Sequence, residues 1–275
     1  MIIFELILIS IIGACFGSFI SLLSYRLALK KFNVNQKDSN IIFSHSKCCN
    51  CNNSLKAINL IPIFSWVYQK GCCSYCGIRI SIRYILIEIF TLLVFTFLYV
   101  LNQFQFNANL ILQIMIFIIL LTMIITDIEH FFIPDILQIF LIFIGFATIY
   151  NQNFDKDFEK IFAITLSRVW SSFIYFLIVF ATSSMFFLYK KVVAIGVDDL
   201  KFFAVSGFIL GFQKIILFFF LSGFIGLLFG YLWLVIKKQR EFPFAPPICI
   251  SLFLCFGDFN FLIKIFDKII LKLSF

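Results

Sequence analysis

Apolar stretches of about 18 residues or more recur along the whole chain, and each is long enough to cross a bilayer as a helix. Hydrophobic residues make up 62% of the sequence and charged residues only 13%, and the mean hydropathy is +1.06. Soluble globular domains carry about twice that share of charged residues. The sequence therefore predicts an all-α fold, a polytopic integral membrane helical bundle in contact with membrane lipid.

About eight transmembrane helices fit into the chain with short connections between them. The candidate segments are 2–25, 84–101, 109–126, 136–150, 161–189, 202–212, 215–236 and 243–257. Segment 202–212 is short for a span, whereas 161–189 is long enough to tilt or to extend past the bilayer. The first apolar run is too long for the core of a signal peptide, so we expect it to be retained as the first span.

Basic residues concentrate in alternate loops between the predicted spans. Most of the 22 lysines and arginines follow the first, fifth and seventh spans. The positive-inside rule places these three loops in the cytoplasm and the N-terminus outside. The same topology brings Asp127 and Asp199 to the cytoplasmic face. It also explains the net charge of +8, which therefore does not indicate a nucleic-acid partner.

Segment 30–82 is the one long polar loop, and we expect it to be a small cytoplasmic zinc-binding domain. Its cysteines can be chosen as two CxxC pairs separated by 21 residues: Cys48, Cys51, Cys73 and Cys76. Two thiolate pairs at this spacing supply the tetrahedral sulfur ligation that suits Zn²⁺. Four thiolates leave no position for water, so the zinc would be structural rather than catalytic.

Other interpretations of these cysteines stay open. Cys49 and Cys72 adjoin the chosen ligands and could permit another register, and His45 could replace a ligand. The cysteines could also form a redox pair or have no common role, although disulfides are rare in a reducing cytoplasm.

Two acidic clusters lie at the ends of apolar runs. Asp127 begins the sequence Asp-Ile-Glu-His, and Asp198 and Asp199 lie in Gly-Val-Asp-Asp-Leu-Lys. A carboxylate beside hydrocarbon is costly, so such a residue marks a functional site by default. Two carboxylates that share one proton can hydrolyse a peptide, because one activates water while the other protonates the leaving amine. The pair of clusters suggests carboxyl groups that meet in the folded protein.

An ordered series of motifs resembles the bacterial type IV prepilin leader peptidases, which are membrane aspartic peptidases of the GxGD type. The motifs are Gly17-Ser18-Phe19 with Tyr25-Arg26, the paired CxxC loop with Asn59–Pro62 and Gly71, Ile80–Tyr84 with Glu88, Asp127–Asp135, Gly196–Lys201 and Pro243–Pro246. The resemblance implies that Asp127 and Asp199 are the catalytic pair. It also implies three parts: a first transmembrane helix at 1–29, the zinc loop at 30–82 and the peptidase bundle at 83–275.

The resemblance implies a bifunctional enzyme of the bacterial inner membrane. Such an enzyme cleaves the basic leader from type IV prepilins and pseudopilins at the cytoplasmic face. It then methylates the new N-terminal residue with S-adenosylmethionine, an activity associated with the cysteine loop. The chain contains no GxGxxG fingerprint, so the sequence does not locate the site of the methyl donor.

Several residues near the motifs have more than one possible role. Asp135 rivals Asp127, although after Pro134 it could instead cap a helix. Asp198 rivals Asp199 and stands where the family has the second glycine of GxGD. If that position needed a positive φ, aspartate would fit less well than glycine. Glu88 has two equally weighted alternatives, a structural ion pair and a functional role.

Two other classes of function stay open. Acidic residues within membrane helices also occur in proton-coupled transporters, but those proteins contain inverted repeats and none is evident here. The second class is a catalytically degenerate homologue that serves as a membrane scaffold, and Asp198 is its one hint.

Overall fold

The computed structural model describes residues 2–32, 47–48, 50–191, 195–239 and 241–257, and helices dominate these ranges. The helices are α1 (Ile2–Lys31), α2 (Phe64–Tyr68), α3 (Ile82–Leu101), α4 (Ala108–His130), α5 (Asp135–Gln152), α6 (Phe158–Lys190), α7 (Val197–Leu210), α8 (Ile215–Lys237) and α9 (Ala245–Phe256). Within the described ranges, β-structure is limited to two isolated antiparallel bridges, Lys47 with Ser54 and Cys72 with Arg79.

Among the residues that the structure describes, six helical segments are long and apolar enough to cross a membrane: α1, α3, α4, α5, α6 and Phe212–Lys237, which contains α8. Helices α7 and α9 have only 14 and 12 residues. At 1.5 Å per residue, each spans at most about 21 Å, against about 30 Å of hydrocarbon. The predicted all-α membrane bundle is confirmed, but the predicted count of about eight spans is not.

The chain forms two compact units, Met1–Ile114 and Met115–Phe275, called here the N-terminal and C-terminal units. The predicted division into 1–29, 30–82 and 83–275 stays a prediction.

In the N-terminal unit, α1 packs closely along α3. A Cβ atom on Gly17 would lie 2.6 Å from the Cα atom of Glu88, and one on Gly13 would lie 3.0 Å from the Cα atom of Leu92. The absence of side chains at both glycines therefore lets the two backbones approach, as small residues do between membrane helices. A hydrogen bond of 2.6 Å from the Tyr99 hydroxyl to Glu5 also joins the pair.

In the C-terminal unit, α7 packs against α5, α6 and α9. Its C-terminal end is fixed by side chains of α6. Arg168 donates to the carbonyl of Ile209 at 2.7 Å, and the Tyr175 hydroxyl donates to the carbonyl of Gly211 at 3.1 Å. These bonds satisfy carbonyls that the end of a helix leaves without intrahelical partners. The position of α7, and of the acidic cluster at its start, is therefore well defined.

The segment that precedes α9 packs against helix α8. Phe244 faces Gly226 and Phe242 faces Gly230, each about 3.1 Å from the position that a Cβ atom would take. The segment therefore folds back onto α8 before α9 begins at Ala245.

The contact between α7 and α6 yields a test of packing. A Cβ atom on Gly207 would lie 2.7 Å from the ring of the fully buried Tyr175, whereas one on Gly223 would meet no atom within 4 Å. We expect Gly207→Ala to cost about 1–3 kcal/mol through overpacking. Gly223→Ala should be neutral or stabilising, because alanine favours a helix by up to about 1 kcal/mol. Thermal unfolding in detergent would contradict this packing if Gly207→Ala were as stable as Gly223→Ala.

Candidate active site and metal cluster

Asp127 lies in the last turn of α4 and is only 6% exposed. Its Oδ2 atom accepts a hydrogen bond of 2.9 Å from the backbone N–H of Ala245, the first residue of α9. The next two residues, Pro246 and Pro247, have no N–H to offer. The start of a helix also carries a partial positive charge. The beginning of α9 therefore provides Asp127 with a backbone donor and a favourable field.

Asp199 is the third residue of α7, and its carboxylate accepts from the backbone N–H of Gly196. A Cβ atom on Gly196 would lie 3.2 Å from the Asp199 Oδ2 atom. Gly196 has φ −68° and ψ 155°, a conformation open to any residue. The backbone conformation therefore accepts any residue, whereas a side chain at this position would crowd the carboxylate by a few tenths of an ångström.

The structure brings the carboxyl groups of Asp127 and Asp199 close enough for the charge of Asp127 to act on Asp199. Both also act on the thiol of Cys249, a fully buried residue of α9. Like charges held together in a site with little water cannot both form easily, so such a pair tends to share one proton. The geometry fits the predicted role of the pair, and that role stays a prediction.

Asp135 and Asp198 face a different partner. The Lys201 ammonium lies 2.9 Å from Asp135 Oδ1 and 3.3 Å from Asp198 Oδ1, and all three side chains are more than a third exposed. The N-cap of α5 is Pro134, and Asp135 makes no capping bond. The predicted capping role of Asp135 is therefore wrong, because its carboxylate pairs with Lys201.

The backbone at Asp198 is helical, since it is the second residue of α7 and is absent from the residues with positive φ. The position therefore does not demand glycine for conformational reasons. The Asp198 carbonyl accepts a hydrogen bond of 3.4 Å from the buried side chain of Gln138. This contact joins the first turns of α5 and α7.

In the N-terminal unit, the sulfur atoms of Cys48, Cys51, Cys73 and Cys76 lie within 4.8 Å of one another, so the group could hold a metal ion. The Cys48 and Cys76 sulfurs are 3.8 Å apart. That distance equals the edge of a tetrahedron with metal–sulfur bonds of about 2.3 Å, the length found for zinc. The donors therefore fit a tetrahedral ion.

The two CxxC pairs adopt the same backbone turn. In each turn, the N–H of the first cysteine donates a hydrogen bond to the carbonyl five residues later. The carbonyl of the same cysteine accepts a hydrogen bond from the N–H four residues later. The bonds are Cys48 to Asn53 and Asn52 to Cys48 in the first turn, and Cys73 to Ile78 and Gly77 to Cys73 in the second. The residue after each pair, Asn52 or Gly77, has positive φ, which asparagine and glycine adopt most readily.

Backbone N–H groups in these turns point at sulfur. The N–H groups of Cys51 and Asn50 lower the pKa of Cys48 to about 6, and the N–H of Ile78 lowers the pKa of Cys76. The N–H of Asn53 acts in the same direction on Cys51. However, burial and the neighbouring sulfurs raise the pKa of Cys51 to about 11. A bound cation would offset the repulsion between neighbouring thiolates and allow all four to form.

Of the adjacent cysteines Cys72 and Cys73, the structure places Cys73 in the cluster. Among the described residues, Cys72 lies outside the cluster and in the bridge with Arg79. The other two possible ligands, Cys49 and His45, lie outside the described residues.

Sequence reasoning missed the two backbone donors to the acids, from Ala245 and Gly196. The motifs containing them were visible, but which N–H meets which carboxylate depends on the packing of separate helices. Cys249 carried no signal beyond its apolar surroundings.

Two family models match the chain. The model described as Bacterial Peptidase A24 N-terminal domain matches residues 11–102, and that of the Type IV leader peptidase family matches residues 114–231. The first region contains the four clustered cysteines, and the second contains Asp127 and Asp199.

Several similar proteins are named prepilin leader peptidase/N-methyltransferase. The Bacillus subtilis protein is 30% identical over 224 residues, which cover 79% of this chain and 84% of the relative. The Legionella pneumophila protein is 26% identical, with 90% and 89% covered. The Vibrio cholerae protein is 25% identical, with 91% and 96% covered. No solved structure matches the chain at a significant level.

The register of the cluster predicts opposite effects at two adjacent cysteines. We expect the protein purified in detergent to hold about one metal ion per chain. Cys73→Ser should abolish this binding because the cluster loses a sulfur, whereas Cys72→Ser should retain it. Elemental analysis by mass spectrometry measures the metal and identifies it. The cluster would be disproved if Cys73→Ser kept the full metal content.

Proposed function

The chain belongs to the type IV leader peptidase family, and we propose that it cleaves the leader from type IV prepilins and pseudopilins with Asp127 and Asp199. The observation that carries this proposal is the meeting of two carboxyl groups, each held by a backbone N–H from the start of a helix. An aspartic peptidase requires two carboxyl groups that can hold one proton between them.

The chemistry follows from one ionised and one protonated carboxyl group. The ionised group takes a proton from a water molecule, whose oxygen attacks the scissile carbonyl. The protonated group then donates its proton to the amide nitrogen, the C–N bond breaks, and the leader departs with a new carboxyl end. Both acids lie beside helix N-termini, which stabilise whichever one is ionised. The structure therefore suits an exchange of roles between the two carboxyl groups.

We place this reaction at the cytoplasmic face of the inner membrane. Lys190 ends α6 and Lys191 follows it, and the positive-inside rule assigns both lysines to the cytoplasm. Asp199 lies in the first turn of α7, shortly after these lysines. A prepilin has a basic leader followed by an apolar helix, so its scissile bond rests at the same face.

For the cysteine cluster, we propose a structural Zn²⁺ ion bound by Cys48, Cys51, Cys73 and Cys76. Four thiolates match its preference for sulfur and leave no open position for a reacting water. The ion would join the two CxxC turns, which are separated in sequence by 21 residues.

We propose a second activity, transfer of a methyl group to the new N-terminal amine. The three relatives described above carry N-methyltransferase in their names. S-adenosylmethionine would supply the methyl group as an electrophile at its sulfonium centre. The peptidase acids lie in the C-terminal unit, which leaves the N-terminal unit available for this second reaction.

Asparagine substitutions test the peptidase proposal directly. Asp127→Asn and Asp199→Asn should each reduce cleavage of a co-expressed prepilin by about a thousandfold or more, because the amide can neither accept nor donate the required proton. Asp135→Asn and Asp198→Asn are matched controls at the exposed Lys201 pairs and should stay within about tenfold of the wild type. Cleavage is measured by the gel shift of the substrate. Normal cleavage by all four variants would refute the aspartic mechanism, and an inert wild type would indicate a degenerate homologue.

The close contact at Gly196 predicts a second effect on cleavage. Gly196→Ala leaves the backbone conformation allowed but pushes a methyl group against Asp199, so we expect kcat to fall about tenfold or more. Val197→Ala, a substitution at the next and exposed residue, should leave kcat unchanged. The melting temperatures of both variants should match that of the wild type. A normal kcat in Gly196→Ala would mean that the position of the Asp199 carboxylate is not critical.

A further inference from the structure

Glu88 is a buried carboxylate of α3 that takes no part in the proposed peptide cleavage. It is 7% exposed, and its Oε2 atom accepts a hydrogen bond of 2.7 Å from the backbone N–H of Ile63. The Ser18 hydroxyl of α1 donates to the same carboxylate. A buried charge needs such donors to offset its loss of hydration. Glu88 therefore joins α1, α3 and the loop that carries the cysteines.

The backbone at Ile63 is strained. Its φ of 62° and ψ of −54° lie in a region that β-branched residues avoid. The N–H of Phe64 donates to the carbonyl of Pro62 at 2.5 Å, which closes a γ-turn around Ile63. Strained conformations of this kind persist only where the surroundings hold them. The hydrogen bond from Ile63 to Glu88 is the contact suited to do so.

The strained turn is connected to the metal cluster by a short and well-bonded path. Ile63 is the N-cap of α2, which contains Trp66. The Trp66 ring packs on Gly71, and the Gly71 carbonyl accepts a hydrogen bond of 2.7 Å from the N–H of Ile80. Cys72 and Arg79 form the adjacent bridge, which encloses the second CxxC turn. A displacement at Ile63 would therefore move Cys73 and Cys76 relative to α1 and α3.

We propose that Glu88 is a positioning residue that holds the Ile63 turn and so fixes the cysteine cluster against the α1–α3 pair. Its contribution to activity rests on the proposed function: it positions the N-terminal unit for methyl transfer and leaves peptide cleavage unaffected. The carboxylate suits this task because a charged acceptor forms a stronger hydrogen bond than a neutral one. Its rigid placement follows from Gly17, whose missing side chain lets α1 lie directly on the backbone of Glu88.

Hydrogen exchange of the intact protein in detergent tests the structural part of the proposal. In Glu88→Ala, the backbone amides of residues 63–71 should exchange at least about tenfold faster, while those of α1 and α3 keep their protection. Glu88→Gln retains an acceptor oxygen and should preserve most of the protection. Glu5→Ala removes the carboxylate that binds Tyr99 in the same helix pair. It serves as the matched control and should leave residues 63–71 unchanged.

A compensating substitution separates relief of strain from general damage. Glycine adopts positive φ without steric cost, so Ile63→Gly in the Glu88→Ala background should slow the exchange of residues 64–71 again. A merely structural role in helix packing would not respond to a change at Ile63. Equal exchange in Glu88→Ala and the wild type, or faster exchange spread over α1 and α3, would overturn the proposal.

The functional part of the proposal is tested by measuring cleavage and methylation of a prepilin that the wild type processes. Mass spectrometry of the product reports cleavage and methylation separately. Glu88→Ala should lower methylation about tenfold or more while cleavage stays within about twofold, and its zinc content should equal that of the wild type. Parallel loss of both activities, or normal methylation, would overturn the positioning role. If the wild type neither cleaves nor methylates, the proposed function fails, and the exchange experiment alone decides the role of Glu88.

Discussion

The cost of keeping two carboxyl groups among apolar helices governs the C-terminal unit. Each acid is met by a main-chain N–H, from Ala245 for Asp127 and from Gly196 for Asp199. A main-chain donor does not change rotamer, so it fixes the oxygen it binds more firmly than a flexible side chain could. The positive ends of α9 and α7 add to this stabilisation. The site can therefore hold charge beside apolar helices without a nearby cation for each acid.

The contact with Asp127 sets the place where α9 begins. A helix that presents its first N–H to a buried acid on another helix must begin beside that acid, as α9 does at Ala245. Short helices in apolar surroundings carry a penalty, because the polar groups at both ends need partners. At the end of α7, Arg168 and Tyr175 bind the carbonyls of Ile209 and Gly211. The backbone polar groups at the two ends of α7 therefore have different partners: a carboxylate at the N-terminal end and side-chain donors at the C-terminal end.

The sequence predicts features that depend on short-range chemistry and misses those that depend on packing. The four clustered cysteines could be chosen from the sequence because each CxxC pair closes its own turn within a few residues. Asp127 was marked by the cost of an acid at the end of an apolar run. By contrast, hydropathy predicts the short segment 202–212 but does not show that Arg168 and Tyr175 bind the carbonyls at the end of α7. The γ-turn at Ile63 opposes local preference, since isoleucine avoids positive φ, and its N–H bonds Glu88, which lies 25 residues away in the sequence.

Asp198 shows why a departure from a motif need not impair the site beside it. As the second residue of α7, it favours the start of the helix by its charge. Its side chain pairs with Lys201, while its charge still reaches both Asp127 and Asp199. Exposed ion pairs contribute only about 0–1 kcal/mol, so Lys201 does not hold the start of α7 by itself. The hydrogen bond from the buried Gln138 to the Asp198 carbonyl also contributes. Space beside the Asp199 carboxylate is limited at residue 196, where an added Cβ atom would lie 3.2 Å from it, so the sensitivity to a side chain is expected at residue 196 and not at residue 198.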